Sequence, residues 1–144
     1  MRMLTVNFYK GVEIRYLPVF LYMALILGLS SIPGGSKADL IFSYHLSSSL
    51  QNLLHVPGFG LLAYLWMWTL RDRTNFTRGA LFTLGITTLY GVLDELYQIL
   101  IPGRIASLGD LLLNTAGVIL GVGIYSFFNR SFSRSADDRE ESQI

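Results

Sequence analysis

Long apolar runs separated by short polar links make up most of the chain. Residues 16–36, 40–70, 79–93 and 111–129 carry no charge. A helix needs about 20 residues to cross roughly 30 Å of hydrocarbon. The pattern therefore predicts an all-α integral membrane protein with four transmembrane helices, at residues 16–36, 55–70, 79–101 and 111–129, and an interfacial connection over residues 40–52.

Composition agrees with this pattern. Of 144 residues, 51% are hydrophobic and only 15% are charged, which favours one membrane domain over a soluble protein. The chain has no cysteine, which excludes a disulfide framework and thiolate sites. No basic cluster with interleaved aromatic residues occurs, so we expect no nucleic-acid partner. Residues 1–130 are predicted to form the membrane domain, and the serine-rich segment 131–144 a flexible cytoplasmic tail.

The basic residues alternate between the two sides of the predicted bundle. Eight of them flank the chain's start, the link between helices two and three, and the end of helix four, whereas the other two links carry only Lys37 and Arg104. The positive-inside rule then places both termini in the cytoplasm. A cleaved signal peptide is the alternative reading of the first apolar run. The eight residues are Arg2, Lys10, Arg15, Arg71, Arg73, Arg78, Arg130 and Arg134.

The third helix has a polar face and an apolar face. At about 100° per residue, one side carries Thr87, Thr88, Gly91, Asp94, Glu95 and Gln98, and the opposite side carries Leu89, Leu93, Leu96 and Leu100. A carboxylate at the centre of a spanning helix costs roughly 2.5–3.5 kcal/mol on insertion scales. Asp94 and Glu95 are therefore expected to face the bundle or a wet pocket, and the leucines to face lipid.

Polar and small residues also align on the fourth helix. Asp110, Asn114, Gly117 and Gly121 follow i, i+4, i+7, i+11 spacing. Gly117 and Gly121 form a small-xxx-small element that predicts close approach of a neighbouring helix, within the chain or in a homo-oligomer. Gly91 on the third helix is likewise predicted to serve packing.

The turn-rich segment "IPGRIASLGD" predicts that the third and fourth helices form an antiparallel hairpin. Arg104 lies near its tip, where it is expected to reach Asp94 or Glu95. Ser107 and Asp110 have the spacing of a capping box, which is the structural alternative to a functional role for Asp110. His55 begins the second helix at the same predicted level, whereas His45 is expected to be an ordinary surface residue.

The segment "DELYQILIPGRIASLGDLLLNTAGVILG" resembles the VanZ-like family of small bacterial membrane proteins, and "NLLHVPGFGLLAY" resembles its histidine-bearing second helix. Where many relatives have an Asp-Lys pair, this chain has Gln51 and Asn52. The resemblance implies a multi-pass protein of the bacterial inner or plasma membrane. It also implies a link to resistance against the glycopeptide teicoplanin.

Three functions follow from a shared polar site on the outer side. The favoured one is binding of an anionic lipid or cell-wall precursor by Arg104, Gln98, Asp110 and Asn114. An intramembrane acid/base enzyme using His55 with Asp94 or Glu95 is the first alternative. A purely structural ion-pair network is the second. We predict no cofactor and no metal, although His55, Asp94 or Glu95, and Asp110 could together hold a divalent cation.

Overall fold

Six helices make up the computed structural model, which describes residues 2–45 and 48–141. Its side chains are described between Ile14 and Asn129, except at positions 42, 43 and 45–49. No strand occurs within those ranges. The helices are α1 (Arg2–Ser30), α2 (Lys37–His45), α3 (Ser48–Leu53), α4 (His55–Leu70), α5 (Phe76–Gln98) and α6 (Leu108–Glu141).

The helix bounds have local causes. α4 confirms the predicted second helix. α5 begins earlier than predicted because the Asn75 side chain accepts a hydrogen bond from Arg78 N, 2.9 Å away. α1 ends at Ser30, six residues before the predicted limit, and the turn that follows contains Gly35 at φ 72°.

The interfacial connection and the tail differ in detail from the prediction. The predicted interfacial connection contains the short helices α2 and α3. Residues 131–141 of the predicted tail continue α6 as helix, and residues 142–144 lie outside the described ranges, so the flexibility of the tail stays a prediction. The side chain of His45 also lies outside them.

Two helical segments are long and apolar enough to cross a membrane, Leu50–Leu70 and Leu108–Asn129, and Ile14–Ser30 is a shorter apolar helix. α5 is less apolar because one of its faces is polar. The predicted lipid-facing leucines Leu89, Leu93 and Leu96 of α5 are 53% to 55% exposed, and Leu100, just after the helix, is 76% exposed. An all-helical membrane protein accounts for these exposed apolar faces.

Contacts between the long helices fix their relative directions. Arg15 pairs with Asp72, and the Tyr22 hydroxyl donates to Gly58 O at 3.2 Å, so α1 and α4 are antiparallel. α5 turns back along α4, since the ring of Trp66 lies 5.6 Å from that of Phe82. The predicted antiparallel hairpin is present as well, with Gly91 of α5 near Asn114 of α6.

α4 and α6 run parallel and in register along what we call the glycine seam, formed by Val56, Gly60, Gly117 and Gly121. A Cβ added at Gly117 would collide with Val56 O, and one at Gly121 with Gly60 O. Both positions on α6 are buried. The predicted close approach of a helix is therefore intrachain packing, and a homo-oligomer through other small-residue faces stays a prediction.

Apolar clusters flank this seam. Phe59, Ala63 and Val118 form one between α4 and α6. Val19, Leu62 and Trp66 form the other between α1 and α4. Because α4 and α6 are parallel, their first turns lie at the same end of the molecule, which brings His55 beside the start of α6.

Candidate functional site

The acidic pair of α5 is buried, as its polar face predicts. Asp94 is 2% exposed and Glu95 is 6% exposed. Asp94 Oδ2 accepts hydrogen bonds from Ser30 Oγ at 2.8 Å and from Gln98 Nε2 at 3.1 Å. Its other oxygen, Oδ1, is buried without a hydrogen-bond partner in the described part of the chain. Asp94 thus joins α1 to α5 and keeps one acceptor unused.

Glu95 contacts the turn that leads into α6. Its Oε2 accepts a hydrogen bond from Ser107 N at 3.0 Å, while Oε1 is buried and unpaired among the described residues. Ser107 caps α6 as predicted, with its Oγ accepting from Gly109 N at 3.1 Å. Asp110 N also donates to Ser107 Oγ at 3.4 Å, which is one half of the predicted capping box, whereas Glu95 rather than the Asp110 carboxylate accepts from Ser107 N.

Asp110 and Asn114 lie behind this contact on the first turns of α6. Asn114 is fully buried, and its Oδ1 lies 2.9 Å from Nδ1 of His55. An amide oxygen can only accept, so Nδ1 donates in this contact, and in a neutral imidazole Nε2 then holds the lone pair. His55 also stacks on Phe59 with ring centroids 6.4 Å apart. The imidazole is therefore held in one orientation and one tautomer.

Arg104 does not pair with the acids. Its Nε donates to Ile32 O at 3.0 Å, and it forms no ion pair with Asp94 or Glu95 in the described ranges. The predicted ion pair is wrong because a backbone carbonyl at the end of α1 holds the guanidinium instead.

A backbone contact between two turns positions Arg104. Gly34 N donates to Pro102 O at 3.0 Å, and Gly103 adopts φ +76° next to Gly34. Side chains at either glycine would collide with the backbone of the other turn. The turn after α1 is thus hydrogen-bonded to the tip of the α5–α6 hairpin. This contact places Arg104 beside the space between α1 and α5.

That space is a cavity of about 220 Å³. Of the predicted ligand-binding residues, Arg104 and Gln98 line it, whereas Asp110 and Asn114 do not; the candidate acid and base residues His55 and Asp94 do. Its apolar wall comes from α1 and α4, including Tyr22, Ile26, Leu29 and Phe59. Polar lining also comes from Ser30, Asp39 and Gln51, and Ile32 adds to the wall; the sequence pattern did not indicate Ser30, Ile32 or Asp39 as site residues. The only signal for Ser30 was its place at the end of an apolar run.

A comparison with protein families identifies the family of the chain. The family model described as VanZ/LLP1 matches residues 10–129, which include every residue named in the site. The chain belongs to the VanZ/LLP1 family. No curated protein and no solved structure matches it. The helical fold with its apolar spans and the family match together identify a VanZ-like membrane protein.

In this VanZ-like protein, Gly91 lies where α5 packs against Phe59 and Asn114. A Cβ at this position would lie 3.1 Å from the Phe59 ring and 3.3 Å from Asn114 Nδ2. Glycine therefore lets α5 approach the residues that hold His55 in place, in accordance with its predicted packing role.

Proposed function

We propose that this VanZ-like protein binds the anionic headgroup of a membrane lipid or cell-wall precursor in the cavity between α1, α4 and α5. The proposed setting is the inner or plasma membrane of a bacterium, with four spans, both termini in the cytoplasm and the cavity at the outer-leaflet level. The alternating directions of α1, α4, α5 and α6 support four crossings. The distribution of basic residues supports the orientation.

The proposal depends on how the guanidinium of Arg104 is bonded. Its Nε is bonded to Ile32 O, which orients the guanidinium, and none of its nitrogens forms an ion pair in the described part of the chain. The remaining N–H groups of an arginine form a planar fork that suits phosphate or carboxylate oxygens. Gln98 adds an amide at the same cavity wall.

The rest of the lining suits an amphiphile. Ile26, Leu29 and Phe59 provide apolar surface beside the polar groups. A headgroup at Arg104 would leave room for an attached hydrocarbon chain along that surface. Sequestering or shielding such a precursor is how the protein would act in the cell envelope, and it provides a physical basis for the family's link to glycopeptide resistance.

An intramembrane acid/base enzyme is the second candidate, because two observations favour it. Asp94 Oδ1 and Glu95 Oε1 are buried acceptors without partners in the described part of the chain, and the contact of His55 Nδ1 with Asn114 leaves Nε2 as a basic nitrogen in the neutral ring. A purely structural ion-pair network is less favoured, since Arg104 forms no direct ion pair with the acids in the described ranges. Turnover of a labelled lipid or precursor by purified protein would separate the enzyme from the binding protein.

The binding proposal is tested with purified full-length protein in detergent. Retention of phosphatidylglycerol and phosphatidylcholine is measured by native mass spectrometry for the wild type, Arg104→Gln and Arg78→Gln. We expect preferential retention of the anionic lipid and a roughly 10- to 100-fold loss of affinity in Arg104→Gln, the range that a charge-assisted hydrogen bond provides. Arg78→Gln is the matched control, since Arg78 lies at the opposite end of α5.

Equal retention of both lipids by the wild type, or unchanged retention by Arg104→Gln, would contradict an anion site at Arg104. Teicoplanin susceptibility of a bacterial host expressing the same three proteins provides the cellular readout. The proposal expects protection by the wild type and Arg78→Gln, and loss of protection with Arg104→Gln.

A further inference from the structure

Three potential metal ligands converge behind the cavity. One ring nitrogen of His55 and one carboxylate oxygen each from Glu95 and Asp110 lie within 4.8 Å of one another. They come from the starts of α4 and α6 and from the last turns of α5. The parallel packing of α4 and α6 creates this convergence, because it places both first turns at the same end.

Both carboxylates of this cluster have an unused acceptor oxygen. Glu95 and Asp110 are at least nine-tenths buried, and Glu95 Oε1 and Asp110 Oδ1 lack a hydrogen-bond partner in the described ranges. A buried carboxylate oxygen without a donor is costly, and a bound cation removes that cost. No arginine or lysine takes that role in the described ranges.

We infer that His55, Glu95 and Asp110 form a binding site for a divalent transition-metal cation. The site goes beyond the proposed lipid binding and does not depend on it. Three ligands about 2.1 Å from one ion lie about 3.4 Å apart in tetrahedral geometry, so side-chain shifts of up to roughly 0.7 Å each close the observed cluster. Asn114 is the outer partner that fixes His55 with Nε2 free to coordinate, as carboxylates and carbonyls do for metal-bound histidines.

The ligand chemistry narrows the choice of ion. Imidazole favours Zn²⁺, Fe²⁺, Ni²⁺ or Cu²⁺ over Mg²⁺ and Ca²⁺, which prefer sets of oxygen ligands. Two carboxylates neutralise the double charge of the ion. Three protein ligands leave a coordination position for water or for an atom of a bound molecule.

The test uses full-length protein in detergent, without added lipid, after removal of any affinity tag. Zn²⁺ and Mg²⁺ binding is measured by titration calorimetry, and Co²⁺ is added as a spectroscopic probe. We expect one Zn²⁺ per chain, no comparable Mg²⁺ binding, and a Co²⁺ absorption spectrum of nitrogen and oxygen ligation. His55→Gln, Glu95→Gln and Asp110→Asn should each weaken Zn²⁺ binding by more than the roughly 10- to 100-fold that loss of an outer partner costs.

Two controls make the result specific. His45→Gln removes the only other histidine of the chain, and Asp72→Asn removes a carboxylate far from the cluster; both should bind Zn²⁺ like the wild type. Failure of the wild type to bind one equivalent, or loss of binding in His45→Gln, would overturn the inference. Circular dichroism reports folding, and if the three ligand variants misfold, the wild-type stoichiometry and Co²⁺ spectrum decide. A negative result here leaves the lipid-retention assay unaffected.

Discussion

The glycine seam and the polar site lie next to each other in the molecule but are built in opposite ways. At the seam, α4 and α6 touch through the backbone carbonyls of Val56 and Gly60, with no side chain on Gly117 or Gly121 between them. At the site, α1 and α5 meet through side-chain hydrogen bonds such as Ser30 to Asp94. The seam satisfies its polar groups within each helix, whereas the site leaves three carboxylate oxygens, on Asp94, Glu95 and Asp110, without a partner among the described residues.

The two regions therefore differ in role: the glycine seam holds the helices together, and the polar site presents hydrogen-bonding groups. Lipid tails are as apolar as the helix surfaces, so close van der Waals packing is the main force that joins helices in a membrane. Buried acids cost free energy there, and a network that served only stability would pair them. The seam is therefore interpreted as scaffold, and the site as the functional part that the scaffold positions.

The largest expected loss of stability comes from a substitution in the glycine seam. In Gly121→Ala the new methyl group would meet Gly60 O, which belongs to a helix backbone and cannot rotate away. Overpacking costs typically 1–3 kcal/mol and occasionally more, and we expect about 3 kcal/mol because α4 and α6 must separate. The measurement is the free energy of unfolding in mixed detergent micelles.

Gly123→Ala is the matched control for this prediction. It lies two residues further along the same helix, and a Cβ there meets nothing within 4 Å. Its stability should equal or slightly exceed that of the wild type, since alanine is the better helix former. Equal losses in the two variants would mean that helix propensity, rather than the seam, determines the result.

The same contrast explains how much the sequence could predict. The hydrophobic pattern predicts the α4 bounds, the polar and lipid-facing sides of α5 and the close approach at Gly117 and Gly121, because all of these depend on periodicity within one helix. The contribution of α1 was not predictable in this way. Ser30 reaches a partner 64 positions away, and Arg104 bonds a backbone carbonyl, an acceptor present at every residue.

For Asp110, the sequence spacing fits two different roles and does not decide between them. Its distance from Ser107 fits a capping box, and its spacing to Asn114 fits a polar face. The choice depends on whether the Ser107 N–H is free, and that depends on Glu95 folding across the hairpin. Only the tertiary structure contains this information.

Removal of a hydrogen bond at the site should have an intermediate effect on stability. Ser30→Ala removes the donor to Asp94 Oδ2 and leaves only Gln98 bonded to that carboxylate. We expect a loss of about 1–2 kcal/mol in the free energy of unfolding, because a buried acceptor loses one partner. Thr115→Val is the control, since the Thr115 hydroxyl donates to Leu111 O of its own helix and joins no two helices. A loss in Ser30→Ala as large as that in Gly121→Ala would contradict the assignment of stability to the seam.

The smallest effect is expected where the middle of α1 meets the end of α4, at the partly exposed pair Arg15 and Asp72. Arg15, with Arg71, holds the pKa of Asp72 below its ordinary value of 3.8 by hydrogen bonding to the carboxylate. A folded-state pKa below the unfolded one stabilises the protein above the unfolded value, and this stability is lost as pH falls through the folded value. Asp72→Asn should therefore lower Tm slightly at pH 7, and the difference should vanish as pH falls below 3.8.

High salt separates this exposed pair from the buried acids. The Debye length is about 3 Å at 1 M ionic strength, so added salt should remove most of the Asp72→Asn difference in Tm at pH 7. A double-mutant cycle with Arg15→Gln isolates the coupling between the two residues. The Ser30→Ala difference should persist in the same salt, because its partner Asp94 is buried. If salt removed both differences equally, the site would be as open to solvent as the Arg15–Asp72 pair, and the contrast between a wet periphery and an enclosed polar site would not hold.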